Sequence, residues 1–409
     1  MAMISKPETK QNTFSEYDIL IVGAGLAGLC LAYRIKATQP HLTIKIFDQQ
    51  KMFIGDKTWS FHGKDVETLA PWQPFVTGSW DRYEVRFTRS QKIKQAYFTM
   101  SSHSFFQKMQ TLLQKELLLA TPIHSLTANS VFTEAGETYH GKVVVDARSS
   151  FPGSLRQMEL AGWGFQKFLG LEIQTVKPHG LCEPIIMDAQ VPQTDGYRFF
   201  YTLPLSERRL LIEDTYYSNS SALNRETSLR DLRLYAHDQG WTIAEEGRVE
   251  IGCLPIPTFQ TIDPILPQSS QPLKIGAGAG FFHPVTGYSF LWSTRVAEAL
   301  AQIPNPNPET YGRALQELHR QRKANEGFYL FLNRLMFLGS DERHRKNIFE
   351  RFYSLPTSTI ERFYAGRSRW IDRLRLLIGK PPIPISAALR VLLRGIPPHR
   401  QLLLKGEQR

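Results

Sequence analysis

A glycine-rich turn between a strand pattern and a helix pattern constrains the fold of this chain more than any other feature. Residues 17–22 form a short apolar run typical of a strand buried on both faces, and a helical pattern covers 29–37. Between them lies a GxGxxG motif with its intervening residues: Gly23, Ala24, Gly25, Leu26, Ala27 and Gly28. Its glycines allow a tight turn, a close approach of the backbone to a pyrophosphate, and packing of the helix on the strand.

An acidic residue at the end of the next strand adds to this pattern. Residues 42–47 are predicted to form that strand, and Asp48 follows it, twenty positions after Gly28. A carboxylate at this place accepts hydrogen bonds from ribose hydroxyls, while the N-terminus of the helix offers N–H groups to phosphate. A glycine turn without a ligand would not explain this spacing, so the sequence predicts an adenine dinucleotide site.

A second glycine-rich segment favours FAD over NAD as that dinucleotide. Residues 276–289 read as a strand end, a loop and the start of a helix, whose N-terminus would face a flavin pyrimidine ring. The segment around Asp146 resembles the strand that closes the FAD domain in flavoproteins of this superfamily. The predicted contacts in these two segments are Asp146, Gly278, Pro284, Gly287 and Tyr288.

Composition excludes several classes of protein. Of the 409 residues, 42% are hydrophobic and 21% are charged, which fits neither a disordered chain nor a coiled coil. The net charge of +11 is concentrated in residues 367–409, which contain eight Arg and two Lys but only two acidic residues. Because the rest of the chain is nearly neutral, no nucleic-acid partner is expected.

Cysteine content and hydropathy bear on the compartment. The three cysteines are widely spaced and support neither a disulfide framework nor a metal site, which favours a reducing environment. Residues 1–16 are polar and are predicted to be a flexible leader, and no apolar run approaches the length of a membrane span. The sequence therefore predicts a cytoplasmic protein that is soluble or peripheral to the membrane.

Several further stretches resemble the flavoprotein lycopene cyclase family, in its bacterial β-cyclase type. They are TWSFH at 58–62, PIIMDA at 184–189, GYRF at 196–199, IEDT at 212–215, HPVTGYS at 283–289, FYAG at 363–366 and GKPP at 379–382. The resemblance runs from about residue 17 to about 395. GxGxxG alone is shared by many proteins, whereas IEDT, TWSFH and HPVTGYS in this arrangement are far more specific.

The resemblance implies an α/β fold (α+β overall) of glutathione-reductase type, with an inserted β-sheet substrate domain and a helical C-terminal region. The expected limits are 17–165 with 270–305 for the FAD-binding domain, 166–269 for the substrate sheet and 306–409 for the basic helical region. Members of the family convert the ψ ends of lycopene into β-ionone rings, through γ-carotene to β-carotene, without net redox change. They require reduced FAD, with NADPH or NADH as reductant, and association with other carotenoid enzymes is a further implication.

The chemistry of ring closure requires a strong acid, stabilisation of a tertiary carbocation and exclusion of water. A carboxylic acid in an apolar pocket stays protonated because desolvation raises its pKa. The predicted strand 209–217 offers Glu213 and Asp214, and strand alternation places them on opposite faces. The family's essential carboxylate corresponds to Glu213. Asp214 is interpreted as a hydrogen-bonding support, with a direct catalytic role as the alternative.

Other residues complete the predicted site. His62 and His283 are open to two interpretations, a structural hydrogen bond to the backbone or a role in proton transfer, and Arg198 is expected to pair with Asp188 or the flavin. Rings that could stabilise a cation are Trp59, Phe61, Tyr197, Phe199, Tyr201, Phe281, Phe282 and Tyr288, part of which are expected in ordinary core.

The basic C-terminal segment combines charge with an apolar helical face. Trp370, Leu374, Leu377 and Ile378 share that face, and the pattern continues over 385–394. Such helices suit an anionic membrane surface, which is favoured over a solvated arginine face, and the predicted location is the inner face of the cell membrane.

Two rival functions remain open from the sequence. A flavin-dependent monooxygenase acting on a large apolar molecule would share the fold, although two departures from related hydroxylases, at 276–277 and 102–105, weaken it. A lipid-binding protein without enzymatic activity would have lost the FAD contacts, whereas GxGxxG and Asp48 are intact.

Overall fold

A computed structural model of the chain describes residues 16–53, 55–63, 69–148, 153–259 and 271–378. The strands in chain order are β1 (Glu16–Val22), β2 (Ile44–Phe47), β3 (Thr58–His62), β4 (Gly78–Trp80), β5 (Tyr83–Arg86), β6 (Ser90–Ile93), β7 (Tyr97–Ser101), β8 (Leu117–Leu118), β9 (Ile123–Leu126), β10 (Ser130–Thr133), β11 (Thr138–Asp146), β12 (Gly164–Thr175), β13 (Ile185–Asp188), β14 (Tyr197–Pro204), β15 (Arg209–Ser218), β16 (Ile243–Ile256) and β17 (Leu273–Lys274). The helices are α1 (Leu26–Thr38), α2 (Ser102–Leu112), α3 (Leu155–Leu160), α4 (Arg225–Asp238), α5 (Phe290–Ala301), α6 (Pro308–Arg334), α7 (Arg345–Tyr353), α8 (Thr357–Tyr364) and α9 (Trp370–Leu377).

The first sheet surrounds the glycine turn. Its parallel strands β8, β2, β1 and β11 lie side by side. On the other side of β11, β17 pairs parallel with its last residues, and β10, followed by β9, pairs antiparallel with its first residues. Because successive side chains of β1 alternate, Ile19 and Ile21 pack towards α1 and α5, and Leu20 and Val22 pack on the opposite face. The first sheet is thus buried on both faces, as the continuous apolar run of β1 predicts.

The second sheet is larger and mostly antiparallel, with the strand order β16-β12-β15-β14-β13-β5-β6. One face packs against α4 through a core that contains Ile212 and Leu232. The other face packs against α6, α7 and α8 through a second core that contains Tyr217 and Phe352. The strands of a small third sheet, β3-β7-β4, come after β2 and before β8 in the chain.

Some predicted elements differ from the structure. The helix α1 begins at Leu26, three residues before its predicted start. The sequence also predicts a helix over about 105–119, whereas α2 ends at Leu112. The cause at α2 is strand pairing, because Leu117–Leu118 adds to the edge of the first sheet as β8. Strands β5 and β6 come from the segment 17–165 but join the second sheet.

Parts of the predicted organisation lie outside the described residues, namely nearly all of the leader and the whole chain after Ile378. Among the described helices, none combines the length and the apolar character that crossing a bilayer requires.

Candidate active site and cofactor cradle

The predicted dinucleotide contacts lie together at the carboxyl ends of the parallel strands. Gly23 follows β1, Asp48 follows β2, and Asp146 is the last residue of β11, which pairs in register with Val22 of β1. Gly276 follows β17, which pairs with the end of β11. In open α/β sheets ligands bind at this edge, so the first sheet brings both glycine-rich segments to one place.

The glycine turn is packed as the motif predicts. Gly23 has a φ of +105°, and a Cβ on Gly28 would lie 2.0 Å from the Gly23 carbonyl oxygen, so both positions require glycine. A Cβ on Gly25, in contrast, would meet no protein atom within 4 Å. Gly25 caps α1, whose first turn contains no acidic residue and has no side-chain cap. Open space and uncapped N–H groups at a helix N-terminus fit a phosphate group.

The two predicted carboxylates at this edge are already bound within the chain. Asp48 Oδ2 accepts a hydrogen bond from the Ala24 N–H at 2.7 Å, which ties the glycine turn to β2. Asp146 accepts two hydrogen bonds from the Arg148 guanidinium, at 2.8 and 2.9 Å. Asp48 therefore helps to fix the shape of the glycine turn.

The second glycine-rich segment lies against the first. A Cβ on Gly276 would be 3.1 Å from the Cβ of Ala27, so the turn that contains Gly278 runs close beside the start of α1. The Pro284 carbonyl accepts a hydrogen bond from Asn333, and Gly287 has a φ of +73°. The two glycine segments together form a cradle of backbone and small residues, and the residues present fit a dinucleotide.

A cavity opens between the second sheet, β3 and α8. Glu213 and Thr215 of β15 line it, and so do Phe290 and Leu291 in the first turn of α5. Its aromatic lining consists of Phe61, His62, Tyr97, Phe199, Tyr201, Tyr217, His283, Tyr288, Phe290 and Tyr364. A carboxyl group therefore faces a space that is walled mostly by aromatic rings.

Glu213 has a second carboxyl as its neighbour. Burial and the neighbouring carboxylate of Glu250 hold the pKa of Glu213 well above its usual range, against opposing effects of Arg248 and Lys57. A raised pKa favours the protonated form of the carboxyl group, which is the form that can act as a general acid. The arrangement can therefore deliver a proton into an apolar cavity.

Asp214 lies on the opposite face of the same strand, fully buried beneath α4. Its carboxylate forms a bidentate pair with Arg198, at 2.7 and 2.9 Å, and accepts a hydrogen bond from the Tyr216 hydroxyl at 2.8 Å. Burial raises the pKa of Asp214, and Arg198 opposes that rise. Because Asp214 does not line the cavity, its position matches the supporting role and not a direct catalytic one.

Arg198 corrects one expectation. It pairs with Asp214 and Asp231, whereas Asp188 accepts hydrogen bonds from Arg86 and Tyr235. The sequence predicts Asp188 or the flavin as the partner of Arg198. It could not predict Asp231, because that residue comes from α4, which packs across the sheet.

The two histidines line the cavity in neutral form. The Val285 N–H donates to Nδ1 of His283, and Nε2 lies 2.9 Å from the Phe363 carbonyl, so both nitrogens bind backbone. Burial lowers the pKa of His283 to about 4 and that of His62 to about 3. His283 therefore fits the structural interpretation, and a role in proton transfer has no support from its contacts.

Sequence reasoning missed several residues of the cavity. Glu250 was overlooked because only the pairing of β16 with β12 brings it near Glu213. Tyr364, whose ring centroid lies 4.3 Å from that of His62, comes from α8 in the C-terminal region.

Of the predicted aromatic residues, Phe61, Phe199, Tyr201 and Tyr288 line the cavity, whereas Tyr197 and Phe281 belong to the packed core. The sequence does contain one signal of the contact between Glu213 and Glu250. Gly170 is an isolated glycine inside a buried strand, which indicates that neighbouring groups approach closely there.

Comparison with a solved structure shows the fold of the chain. A flavin-dependent brominase superposes with a TM-score of 0.57 and 13% identity, over 86% of this chain and 94% of that one. The predicted α/β fold is confirmed.

Comparison with sequences shows the family. The profile described as "Lycopene cyclase protein" matches residues 18–390. The lycopene beta-cyclase of Pantoea ananas is 39% identical over 92% of this chain and 98% of its own length. That of Pseudescherichia vulneris is 36% identical over 94% and 99%, respectively. The chain therefore belongs to the lycopene cyclase family.

Proposed function

We propose that this protein is a lycopene β-cyclase, an enzyme that closes the ψ ends of lycopene, and then of γ-carotene, into β-ionone rings. The observation that carries the proposal is the buried carboxyl of Glu213, with Glu250 as its neighbour, in a cavity walled by aromatic side chains. A monooxygenase would not need such an acid, and no observation favours that alternative.

In the proposed reaction, Glu213 donates its proton to the terminal trisubstituted alkene of the substrate. The neighbouring alkene attacks the tertiary cation, the ring closes, and return of a ring proton to the Glu213 carboxylate restores the acid and leaves an isomer of the substrate. The aromatic side chains of Phe61, Phe199 and Phe290 line the cavity and are suited to stabilise the cation and to exclude water.

A hydroxyl network holds one side of the cavity. The Tyr201 hydroxyl donates to Ser60 Oγ at 2.7 Å and lies 3.1 Å from the Tyr97 hydroxyl. Because these hydroxyls bind one another, they are less available to trap the cation. Burial raises the pKa of the Tyr201 hydroxyl well above its usual range, so the phenol stays neutral.

The cofactor we propose is FAD in its reduced form, with NADPH or NADH as the reductant. The turn of Gly23, Gly25 and Gly28 would hold the pyrophosphate, Asp48 the ribose, and the segment around Gly278 and Gly287 the flavin. When bound, reduced FAD supplies an electron-rich ring system that stabilises positive charge.

We also propose that the protein docks on the inner face of the cell membrane, where its apolar substrate lies. On α9, Trp370 is 71% exposed and Ile378, which follows the helix, is 63% exposed, with Leu374 and Leu377 also exposed. The Arg362–Asp372 ion pair, at 2.6 Å, fastens α9 to α8. Since α8 also contributes Tyr364 to the cavity, the helix that would meet lipid is braced against the wall of the site.

Expression in cells that accumulate lycopene tests the proposed activity. We expect pigment chromatography to show β-carotene, with γ-carotene as an intermediate, and lycopene alone in cells that express Glu213→Gln. Unchanged lycopene in cells that contain folded, flavin-loaded wild-type protein would refute the proposal.

A further inference from the structure

Four residues on four neighbouring strands form one row across the cavity face of the second sheet. The register pairs Tyr201 of β14 with Glu213 of β15, Glu213 with Gly170 of β12, and Gly170 with Glu250 of β16. Glu213 and Glu250 are therefore second neighbours, separated by the width of one strand. A side chain at position 170 would normally stand between them.

Gly170 removes that barrier. A Cβ at this position would lie 2.9 Å from the Cγ atoms of both Glu213 and Glu250. The two side chains therefore lean over Gly170 and bring their carboxyl groups close together. Two carboxylates this close would repel each other, so one member of the pair takes up a proton.

The two carboxyl groups differ in their other partners. Glu250 is 1% exposed, and its Oε2 accepts hydrogen bonds from Arg248 Nη1 at 2.6 Å and from Thr58 Oγ1 at 3.0 Å. Arg248 also donates to Thr58 at 2.8 Å, which closes a ring of donors around that oxygen. A guanidinium and a hydroxyl stabilise a carboxylate, so Glu250 is the ionised member and Glu213 holds the proton.

We propose that Glu250 is a positioning residue that keeps the proton on Glu213. Glu213 therefore faces the cavity as a neutral carboxylic acid at neutral pH. This inference rests on the proposed function, because it assigns the origin of the acid in that reaction. Glu250 does not line the cavity and acts only through Glu213.

The charges around the pair support this assignment. Titratable groups that face Glu213 are Glu250 and Arg248 of β16, Lys57 just before β3, Tyr201 of β14, and Tyr288 in the loop before α5. Arg248 and Lys57 lower the pKa of Glu213, but Arg248 is bound to Glu250, and Lys57 is bound to Asp56 and to the Ile251 carbonyl at 2.7 Å. Burial and the charge of Glu250 therefore raise the pKa of Glu213 more than Arg248 and Lys57 lower it.

The test is a titration of Glu213 by infrared spectroscopy of the purified protein, which needs no turnover. The C=O band of the protonated carboxyl is assigned by its loss in Glu213→Gln. In Glu250→Gln we expect this band to disappear at a pH lower by about one to three units, because the like charge is gone. The alkaline limb of the turnover profile should move by the same amount, with near-normal turnover at acidic pH.

Two variants serve as controls. Glu250→Asp keeps the charge and should restore most of the wild-type titration, whereas Glu245→Gln removes an exposed carboxylate of the same strand and should change nothing. An unshifted band in Glu250→Gln, or a turnover lowered by one factor at every pH, would overturn the inference and leave Glu250 a structural residue. A shifted band in a protein that forms no cyclic product would support the inference and refute the proposed function.

Discussion

The first and second sheets build their sites in different ways. At the first sheet, backbone and glycines from two local segments form the cradle, and its carboxylates are bound within the chain. At the second sheet, side chains from neighbouring strands meet over Gly170, and burial together with Glu250 raises the pKa of Glu213. Under the proposed function this contrast is a division of labour, in which the first sheet would hold the cofactor and the second would perform proton transfer. Substitutions should therefore separate the two functions.

The largest effect is expected at the first sheet, from Gly25→Val. A branched side chain would fill the space beside the N-terminus of α1 and block a pyrophosphate there. We expect a protein that purifies without flavin absorbance and therefore has no activity. Gly327→Val is the matched control, because Gly327 also faces open space but lies in α6. Normal flavin content in Gly25→Val would contradict the proposal that the first sheet holds the cofactor.

At the second sheet, Glu213→Gln should leave the cofactor in place and remove the acid. Glutamine keeps the shape of a protonated glutamate but cannot donate an acidic proton. Turnover should fall about 10²–10⁴-fold, the usual contribution of a positioned general acid. Flavin absorbance and flavin reduction should match the wild type, and a loss of flavin in this variant would mean that the two sheets are not independent.

The opposite pattern is expected one residue further along β15. Asp214→Asn weakens a buried ion pair with Arg198, which should lower the free energy of unfolding by on the order of 3 kcal/mol. Turnover by the folded protein should stay within a few-fold of the wild type, since Asp214 faces α4. Denaturant unfolding and turnover measured on the same preparation check this prediction; loss of turnover without loss of stability would contradict it.

The smallest effect is expected outside both sheets, on α9. Trp370→Ser removes the most exposed large apolar side chain of this helix and should weaken binding to anionic liposomes by about 2 kcal/mol. Leu234→Ser, which alters an exposed apolar residue of α4, is the control and should bind normally. Flavin content and turnover of dispersed substrate should not change in either variant. Equal liposome binding by both would leave α9 without a docking role.

The same contrast between the two sheets explains what the sequence could predict. The cradle is encoded locally, so the spacing of Gly23, Gly25 and Gly28 to Asp48 was sufficient to expect it, and strand alternation correctly separated Glu213 from Asp214. The register of the second sheet is not local. Glu250 lies 37 positions beyond Glu213, and only pairing through β12 brings the two together.

The helical C-terminal region shows a second limit of the same kind. Its apolar and basic pattern predicted helices, and α9 has the exposed apolar face that was expected. The contribution of Tyr364 to the cavity was not predictable, because it depends on how α8 packs against β3. Side chains that meet across domains leave no periodic signal in a sequence.

The central claim is that a solvent-exchangeable carboxyl proton starts a redox-neutral ring closure. Turnover of lycopene by the purified protein in heavy water, with reduced FAD and without oxygen, tests it most directly through the mass of the product. Each ring should gain one deuterium from the acid and lose one hydrogen from the substrate, and no oxygen should be added. A cyclic product without deuterium, or a product formed only when oxygen is present, would contradict the account.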